Sequence, residues 1–500
     1  MIRGRDVTGD SKSLTQLGLT ARGGRDARVT GLSVDSREVA AGHLFAALPG
    51  TQVHGARFVA AALERGAGAI LTDAEGADIA AEALAASDAA LVIAAEPRAA
   101  LAYAAALWFG AQPETMVAVT GTNGKTSVAT FTRAIWQELG LRAVNLGTTG
   151  VEGDWHAPLR HTTPEPITLH RALAEAARAG VDHAAMEASS HGLAQRRLDG
   201  VTLRAAGFTN FSQDHLDYHA SFEDYFDAKA GLFARVLPED GTAVVNIADP
   251  RGVDMAAIAT ARGQRVITVG REEGADICLT AQRFEAEGQT IRVVHEGRAR
   301  QVPLALIGGF QAENVLVAAG LVMACGAEPD DVFAALEKLT TVRGRMQLAA
   351  TRGNGATVFV DYAHTPGAVE TAIGALRPHV MGRLVAIVGA GGDRDRGKRP
   401  LMGAAAAAHA DVVIVTDDNP RSEDPAAIRA AVLEGAPDAV EVGDRAEAIL
   451  RGVDLLGPGD ALLICGKGHE TGQIVGATTY PFDDVEQASL AVAALDGRIA

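Results

Sequence analysis

Short apolar runs alternating with longer amphipathic stretches set the rhythm of this chain. Between residues 113 and 342, the runs 116–119, 143–146, 183–187, 205–209, 243–246 and 265–269 are too short for helices, and each predicts a buried strand. Helix-compatible stretches near 127–139, 168–179, 222–236 and 311–325 separate many of them. Past Gly344 the rhythm continues, with strands expected at 357–361, 384–388, 411–416 and 461–465. Helices are expected there near 366–377, 398–409, 426–434 and 445–456. The alanine run Ala404 to Ala408 reads as a helix interior, given alanine's propensity. Strand alternating with helix predicts an α/β fold with mostly parallel sheets. The first block carries apolar runs at Leu44 to Leu48 and Ala89 to Ala94, and ends at the turn Gly110-Ala111-Gln112-Pro113. The division expected is 1–111, 112–343 and 344–500, in keeping with about three domains at roughly 150 residues each.

Hydrophobic residues make up 48% of the 500, a fraction swollen by alanine yet sufficient for sizeable cores. A net charge of −17 and an isoelectric point near 5.3 argue against nucleic acid or anionic lipid as partners. A polyanionic substrate would need a locally basic site. Cys278, Cys325 and Cys465 are scattered without a Cys-x-x-Cys pair, which fits a reducing compartment and argues against a zinc ribbon or disulfide framework. The opening Met1-Ile2-Arg3-Gly4-Arg5 has no apolar signal core. No run approaches about 18 apolar residues, so a soluble, cytoplasmic protein without a membrane span is expected.

The most informative stretch is Met116 to Thr126, where a buried-strand run empties into Thr120-Gly121-Thr122-Asn123-Gly124-Lys125-Thr126 and a helix follows. Strand, glycine-punctuated loop and helix N-terminus make an anion site, because loop N–H groups and the helix dipole both favour negative charge. Lys125 adds a point charge for β/γ-phosphates, and the Thr126 hydroxyl suits Mg²⁺. The usual pattern wants glycine six residues before the lysine; Val119 stands there, and Gly121 substitutes. An ordinary βα turn that merely uses glycine is the alternative.

Other strand ends carry chemistry too. Glu187 closes an apolar strand and could reach the phosphate loop and its metal, or be a solvated charge. Asp214-His215-Leu216-Asp217-Tyr218-His219 packs four potential metal ligands together, although such histidines often complete a hydrogen-bonded core instead. Lys229, in a mostly apolar helical stretch, reads on its own as a snorkelling surface lysine. In the third block, Asp361-Tyr362-Ala363-His364-Thr365-Pro366, the basic loop Arg394 to Arg399, Asp417 to Arg421 and Cys465 to Glu470 follow successive strands. Their converging rim of mixed charge suits a zwitterionic ligand. Val388 to Arg394 is a false lead for a dinucleotide fingerprint, since its third glycine would fall on Arg394.

Taken in order, these motifs resemble the Mur ligases, ATP-dependent amide-forming enzymes of bacterial peptidoglycan synthesis. The resemblance also takes in Asp35-Ser36-Arg37, Thr162-Thr163-Pro164, Ser189-Ser190-His191-Gly192-Leu193, Gly344-Arg345-Met346 and Gly391-Gly392-Asp393-Arg394-Asp395. It implies a three-domain architecture: a UDP-substrate domain (1–111), a central P-loop-type ATPase (112–343) and a Rossmann-like amino-acid-binding domain (344–500). The implied partners are ATP, two Mg²⁺ ions, UDP-N-acetylmuramoyl-L-alanyl-D-glutamate and an amino acid. Asp418-Asn419-Pro420-Arg421 looks like the form that adds meso-diaminopimelate rather than lysine. A monomer is expected.

Residue roles carry over on the same basis. Val34, Ser36, Thr51, Gln52 and Val53 would hold the uridine diphosphate, and Thr162, Thr163, Ser189, Gln195 and Arg197 the muramyl peptide. Gly121 to Ser127 would bind ATP, with Asn314 and Asp361 on adenine and ribose and Arg345 on the phosphates. Thr126, Glu187, His215 and Lys229 would hold metal, Lys229 as the CO₂ adduct (a carbamate) that turns a cation into an anion. Lys125, Glu187, His215, Lys229 and Arg345 would form the catalytic set; Arg394, Asp418, Asn419, Pro420, Arg421, Gly466 and Glu470 would take diaminopimelate. Two departures stand out: Ser127 where a second threonine is usual, and Gln311 for a common asparagine, which leaves the role of residue 311 open. A folylpolyglutamate synthase, a lysine-adding homologue and a catalytically silent nucleotide-binding scaffold are the rivals. Residues 418–421 and the UDP-type first block weigh against the first two, and intact Lys125, Glu187, His215 and Lys229 against the third.

Overall fold

The computed structural model describes residues 11–50, 53–212, 218–219, 221–285 and 287–497. The chain forms two compact units: one runs up to Thr268 and includes Gly320–Ala327, and the other takes Val269–Ala319 and the chain from Glu328 on. Thr51, Gln52 and His215 lie outside the described residues.

In the first unit, β1 (Gly31–Ser33), β2 (His43–Ala46), β3 (Ala69–Thr72) and β4 (Ala90–Ile93) pair in parallel in that order. A second sheet in the same unit holds β5 (Thr115–Thr120), β6 (Ala143–Gly147), β7 (Gly150–Gly153), β8 (His183–Glu187), β9 (Ala205–Phe208) and β10 (Thr242–Asn246). Its order is β10-β9-β5-β8-β6-β7, parallel except for the β6–β7 hairpin. The chain leaves β5, skips a place to β6, and later returns to either side of β5. In open α/β sheets this reversal of direction leaves a crevice at the strands' carboxyl ends, where ligands gather.

The second unit opens with an antiparallel meander of β11 (Ile277–Glu285), β12 (Gly288–His295) and β13 (Arg298–Leu304). Its larger sheet holds β14 (Gln347–Thr351), β15 (Thr357–Asp361), β16 (Leu384–Val388), β17 (Val412–Val415), β18 (Val440–Glu441) and β19 (Ala461–Cys465), in the order β14-β15-β19-β16-β17-β18. Only β14 is antiparallel to its neighbour. A hairpin, β20 (Gly472–Val475) and β21 (Thr478–Pro481), follows the last long strand.

The unbroken apolar runs have a direct cause. Along β16, Leu384, Ala386 and Val388 join one buried cluster while Val385 and Ile387 join another. Helices cover both faces, so no alternation is needed, and each fully buried aliphatic side chain contributes about 1.5–3 kcal/mol. Side-chain caps set the helix starts: Ser221 accepts from the Asp224 N–H, Thr365 from Ala368, and Asp483 from Val485 and Glu486.

The strands foreseen from apolar runs are present with ends shifted by one or two residues. Three differences matter. Residues 277–304, for which no strand was expected, form the antiparallel meander. The helix expected over 222–236 is an α-helix only to Gly231 and continues as a π-helical turn, Leu232–Val236. The hairpin β20–β21 was not foreseen. No helix among the described residues is long and apolar enough to cross a membrane.

Candidate active site

The phosphate-loop site is built at the carboxyl ends of β5, β8 and β9. Met116 to Thr120 are fully buried, so the loop leaves a rigid strand. The loop leans on the end of β9: Thr122 N–H donates to the Asn210 carbonyl (2.8 Å) and Asn123 N–H to Asn210 Oδ1 (3.0 Å). Gly121 sits at φ 148°, and a Cβ there would run into the Thr209 hydroxyl and the Asn210 backbone. Only glycine lets the two loops approach this closely. The helix Lys125–Glu138 then starts at the lysine, two residues earlier than the apolar pattern indicates.

Glu187, 2% exposed, is the hub of the site. Its Oε2 accepts from the Thr126 hydroxyl (3.0 Å) and its Oε1 from the Thr148 N–H (2.7 Å). A side chain at residue 147 would occupy this carboxylate's place, which explains Gly147. A solvated charge at a strand end is thereby excluded. From the hub a polar chain runs outward: Thr148 and Thr162 hydroxyls lie 3.0 Å apart, Thr163 donates to the Glu187 carbonyl (2.9 Å), and the Ser189 N–H donates to Thr163 (3.0 Å). Arg197 donates to the Thr163 carbonyl and to Gln195 (2.8 Å), whose amide donates to the Tyr218 hydroxyl (3.0 Å). Thr162, Thr163, Ser189, Gln195 and Arg197, separate in sequence, thus share one wall with the phosphate loop.

The snorkelling reading of Lys229 is corrected. It is 1% exposed, donates to the Gly121 carbonyl (2.7 Å), and lies over the Tyr225 ring at 4.4 Å. Lys125 donates to the carbonyls of Gly121 and Thr122, both at 2.8 Å. Among the described residues, no three or more His, Cys, Asp and Glu side chains are grouped so that they could hold a metal ion by themselves. Toward the first sheet, Val34 and Val53 are exposed, and Asp35 caps the short turn Ser36–Glu38. Hydrogen bonding from Arg37 holds the Asp35 carboxyl at about 2.

The second unit carries its own strand-end site. Asp361 ends β15 and accepts the N–H groups of Met346 (2.7 Å) and Ala363 (2.9 Å). Burial pushes its carboxyl up, and the Arg345 guanidinium opposes that push. Arg345 also lies over the Tyr362 ring at 4.7 Å. Asn314 donates to Gln311 Oε1 at 3.0 Å with both side chains buried, which gives residue 311 a place: it orients Asn314.

On the rim, Asn419 is the hub. Its amide donates to Glu470 (2.8 Å), and its Oδ1 accepts from Lys467 Nζ (3.1 Å) and the Ile474 N–H (2.9 Å). Lys467, wholly buried, also faces Asp418 at 3.4 Å. Burial pushes the Glu470 carboxyl up and the Lys467 ammonium down. Arg421 donates to the Gly392 carbonyl (2.9 Å), Gly466 lies beside Asp418, Pro420 is buried, and Arg394 is exposed. Beneath the rim, Arg445 makes a bidentate pair with Asp484 (2.7 and 2.6 Å) and donates to the Cys465 carbonyl (3.0 Å). Motif reading missed Arg445, Asp484 and Gln473, and gave Lys467 no role although it stands inside a quoted motif.

A phosphate loop on one parallel sheet and a mixed-charge rim on another define a nucleotide-dependent α/β enzyme. The Mur ligase family catalytic domain matches residues 28–108, the Mur ligase middle domain 119–322, and the Mur ligase glutamate ligase domain 344–468. Proteins named UDP-N-acetylmuramoyl-L-alanyl-D-glutamate–2,6-diaminopimelate ligase are similar over nearly the whole length. The one from Bradyrhizobium diazoefficiens is 50% identical over 93% of this chain and 95% of its own. That from Agrobacterium fabrum is 47% identical over 99% of both. A solved structure of a ligase of the same name superposes with a TM-score of 0.71 at 32% identity, covering 97% of this chain and 99% of the other. The chain belongs to the Mur ligase family.

Proposed function

We propose that this chain couples ATP hydrolysis to joining meso-diaminopimelate onto the D-glutamate of UDP-N-acetylmuramoyl-L-alanyl-D-glutamate, a cytoplasmic step in peptidoglycan synthesis. The observation that carries the reading is the near end-to-end likeness to relatives bearing that name, over 93–99% of the chain. The three blocks 1–111, 112–343 and 344–500 divide the work as UDP end, ATPase and incoming amino acid.

A carboxylate lacks a leaving group for direct amide formation. ATP supplies one: the glutamate γ-carboxylate attacks the γ-phosphorus, ADP leaves, and an acyl phosphate forms. The diaminopimelate amine then adds to the acyl carbon, and the tetrahedral intermediate expels phosphate. The first step brings two anions together, so cations must be preplaced. Lys125 is held at the loop for that purpose, with Arg345 contributing from its own unit. Thr126 and Glu187 offer a hydroxyl and a carboxylate 3.0 Å apart, a hard-oxygen pair that fits Mg²⁺. When bound there, the ion would supply positive charge that offsets the repulsion between the reacting anions. His215 and a carbamylated Lys229 would hold a second. An ammonium cannot ligate a cation; addition of CO₂ to the neutral amine, with loss of one proton, gives an anion that can. Asn314 and Asp361 would take adenine and ribose, while the wall from Thr162 to Arg197 would seat the muramyl peptide.

On the rim, Arg421 would grip the distal carboxylate of diaminopimelate and Glu470 its ammonium. The decisive assay offers purified protein ATP, Mg²⁺ and UDP-muramyl dipeptide, with meso-diaminopimelate and L-lysine in parallel. Phosphate release with diaminopimelate alone is expected; equal use of lysine overturns the assignment. In the same assay Lys229→Ala should be nearly inactive and partly rescued by formate or acetate, whereas full activity removes the carbamate from the mechanism.

A further inference from the structure

The left-handed backbone at two non-glycine rim residues needs an explanation. Asn419 has φ 44° and Arg421 φ 53°. Asparagine tolerates this region, but for arginine it is unfavourable and persists only where the surroundings enforce it. The enforcing element is the hairpin β20–β21. Arg421 N–H donates to the Ile474 carbonyl (3.1 Å), and the Gly476 N–H donates to the Arg421 carbonyl (2.7 Å), so Arg421 and Val475 form an isolated parallel bridge. Asn419 is clamped likewise: its N–H donates to Gln473 Oε1 (3.2 Å), and its Oδ1 accepts from the Ile474 N–H (2.9 Å).

A lone two-stranded hairpin is marginally stable in water, and this one is largely exposed, with Val475 and Tyr480 about half open. What fastens it is the buried Lys467, which donates at once to the Gly472 carbonyl (2.7 Å) and to Asn419 Oδ1 (3.1 Å). The contacts are therefore mutual. Lys467 anchors the hairpin at its first residue, and the hairpin's outer edge holds the rim.

We propose that the hairpin Gly472–Pro481, fastened by Lys467, is a positioning device for amino-acid selectivity: it holds Arg421 in the conformation that sends its guanidinium toward Gly391 and Gly392. Ile474 and Lys467 are positioning residues here, not substrate contacts. The inference rests on the proposed diaminopimelate role of Arg421.

Ile474→Pro is the sharp test. The N–H it deletes is the one given to Asn419, and the ring's Cδ intrudes on that 2.9 Å contact, so the rim with Arg421 is pushed off the hairpin edge while the β20–β21 ladder keeps its bonds. The full-length variant should lose ~10²-fold or more in kcat/KM for diaminopimelate, mostly through KM. Its KM for ATP and for UDP-muramyl dipeptide should stay within twofold, and its preference over L-lysine should narrow. Amide exchange at Arg421 and Gly476, measured without any substrate, should accelerate at least tenfold, with thermal midpoint unchanged within a few degrees. Lys467→Met should act in the same direction, more strongly. Unchanged exchange at Arg421, or a loss shared equally by all three substrates, overturns the hairpin's role. If wild type shows no preference for diaminopimelate while exchange responds as described, the substrate assignment fails and the clamp stands.

Discussion

The two strand-end sites are made from different materials. At the phosphate loop, backbone N–H groups and a close glycine approach shape the site, and one carboxylate, Glu187, is satisfied by a hydroxyl and an N–H. On the rim, shape comes from side chains bonded to side chains: Asn419 to Glu470 and Lys467, Arg399 to Glu423 (2.8 Å), Arg445 to Asp484. A main-chain cradle binds whatever carries phosphates; a side-chain lattice can be retuned to a new amino acid by few substitutions. In the proposed roles, the main chain of the first unit cradles phosphates, while side chains of the second choose the amino acid.

Breaking the comparison at its most selective point should give the largest effect. L-lysine lacks the distal carboxylate, and an unpaired polar site can reject such an analogue by ~10⁴-fold. Arg421→Ala should remove most of that discrimination, read as the ratio of kcat/KM for the two amino acids, with ATP affinity unmoved. A variant that keeps its preference denies Arg421 the role.

Next comes the lattice under the rim. Arg445 and Asp484 are both essentially buried, and burial, which alone would lower the arginine, is outweighed by Asp484. Asp484→Ala strands a buried cation, and unfolding stability should fall by about 3–5 kcal/mol in urea titrations. A loss under about 1 kcal/mol would show that the rim does not depend on this buried pair.

The phosphate loop should respond in the opposite sense. Lys125→Ala should cost ~10²-fold or more in turnover, with little change in thermal midpoint, because the loop's shape lies in its backbone. A destabilised but active variant would invert the comparison.

The smallest effect concerns acid. His170, 2% exposed, has its imidazole pushed by burial down to about 4. It stays neutral in the folded chain, whereas unfolded it takes a proton below about 6.5. Stability is therefore full above about pH 6.5 and falls as pH drops toward 4, where the folded state finally protonates. His170→Leu should shrink the loss in urea midpoint between about pH 7 and pH 5; an unchanged loss would place the acid sensitivity elsewhere.

What was legible in the sequence follows the same divide. Parallel strands covered on both faces read as uninterrupted apolar runs, so β5, β8, β16 and β19 were plain, and the phosphate loop announces itself because glycine is obligatory there. The meander β11–β13 was not, since strands such as Arg298–Leu304 bury only Val302 and Leu304 and interrupt the apolar pattern with Arg298, Arg300 and Gln301. Burial of a long cation is invisible to periodicity, so Lys229 read as a surface residue until the family resemblance and then the fold placed it. The clamp on Arg421 was hidden as well: it depends on main-chain bonds from a hairpin fifty residues downstream, which no local pattern encodes.

Lys125 donates to two carbonyls of its own loop, and Lys229 shares one of them, Gly121. The loop is in effect latched by the lysine that must later release it. A carbonyl oxygen carries only a partial charge, whereas a phosphate oxygen offers the ammonium a full opposite charge. Entry of a nucleotide is then an exchange reaction, in which a ligand must offer enough charged oxygens to outbid the latch. A polyphosphate tail does so, while a single orthophosphate gains less from the same exchange.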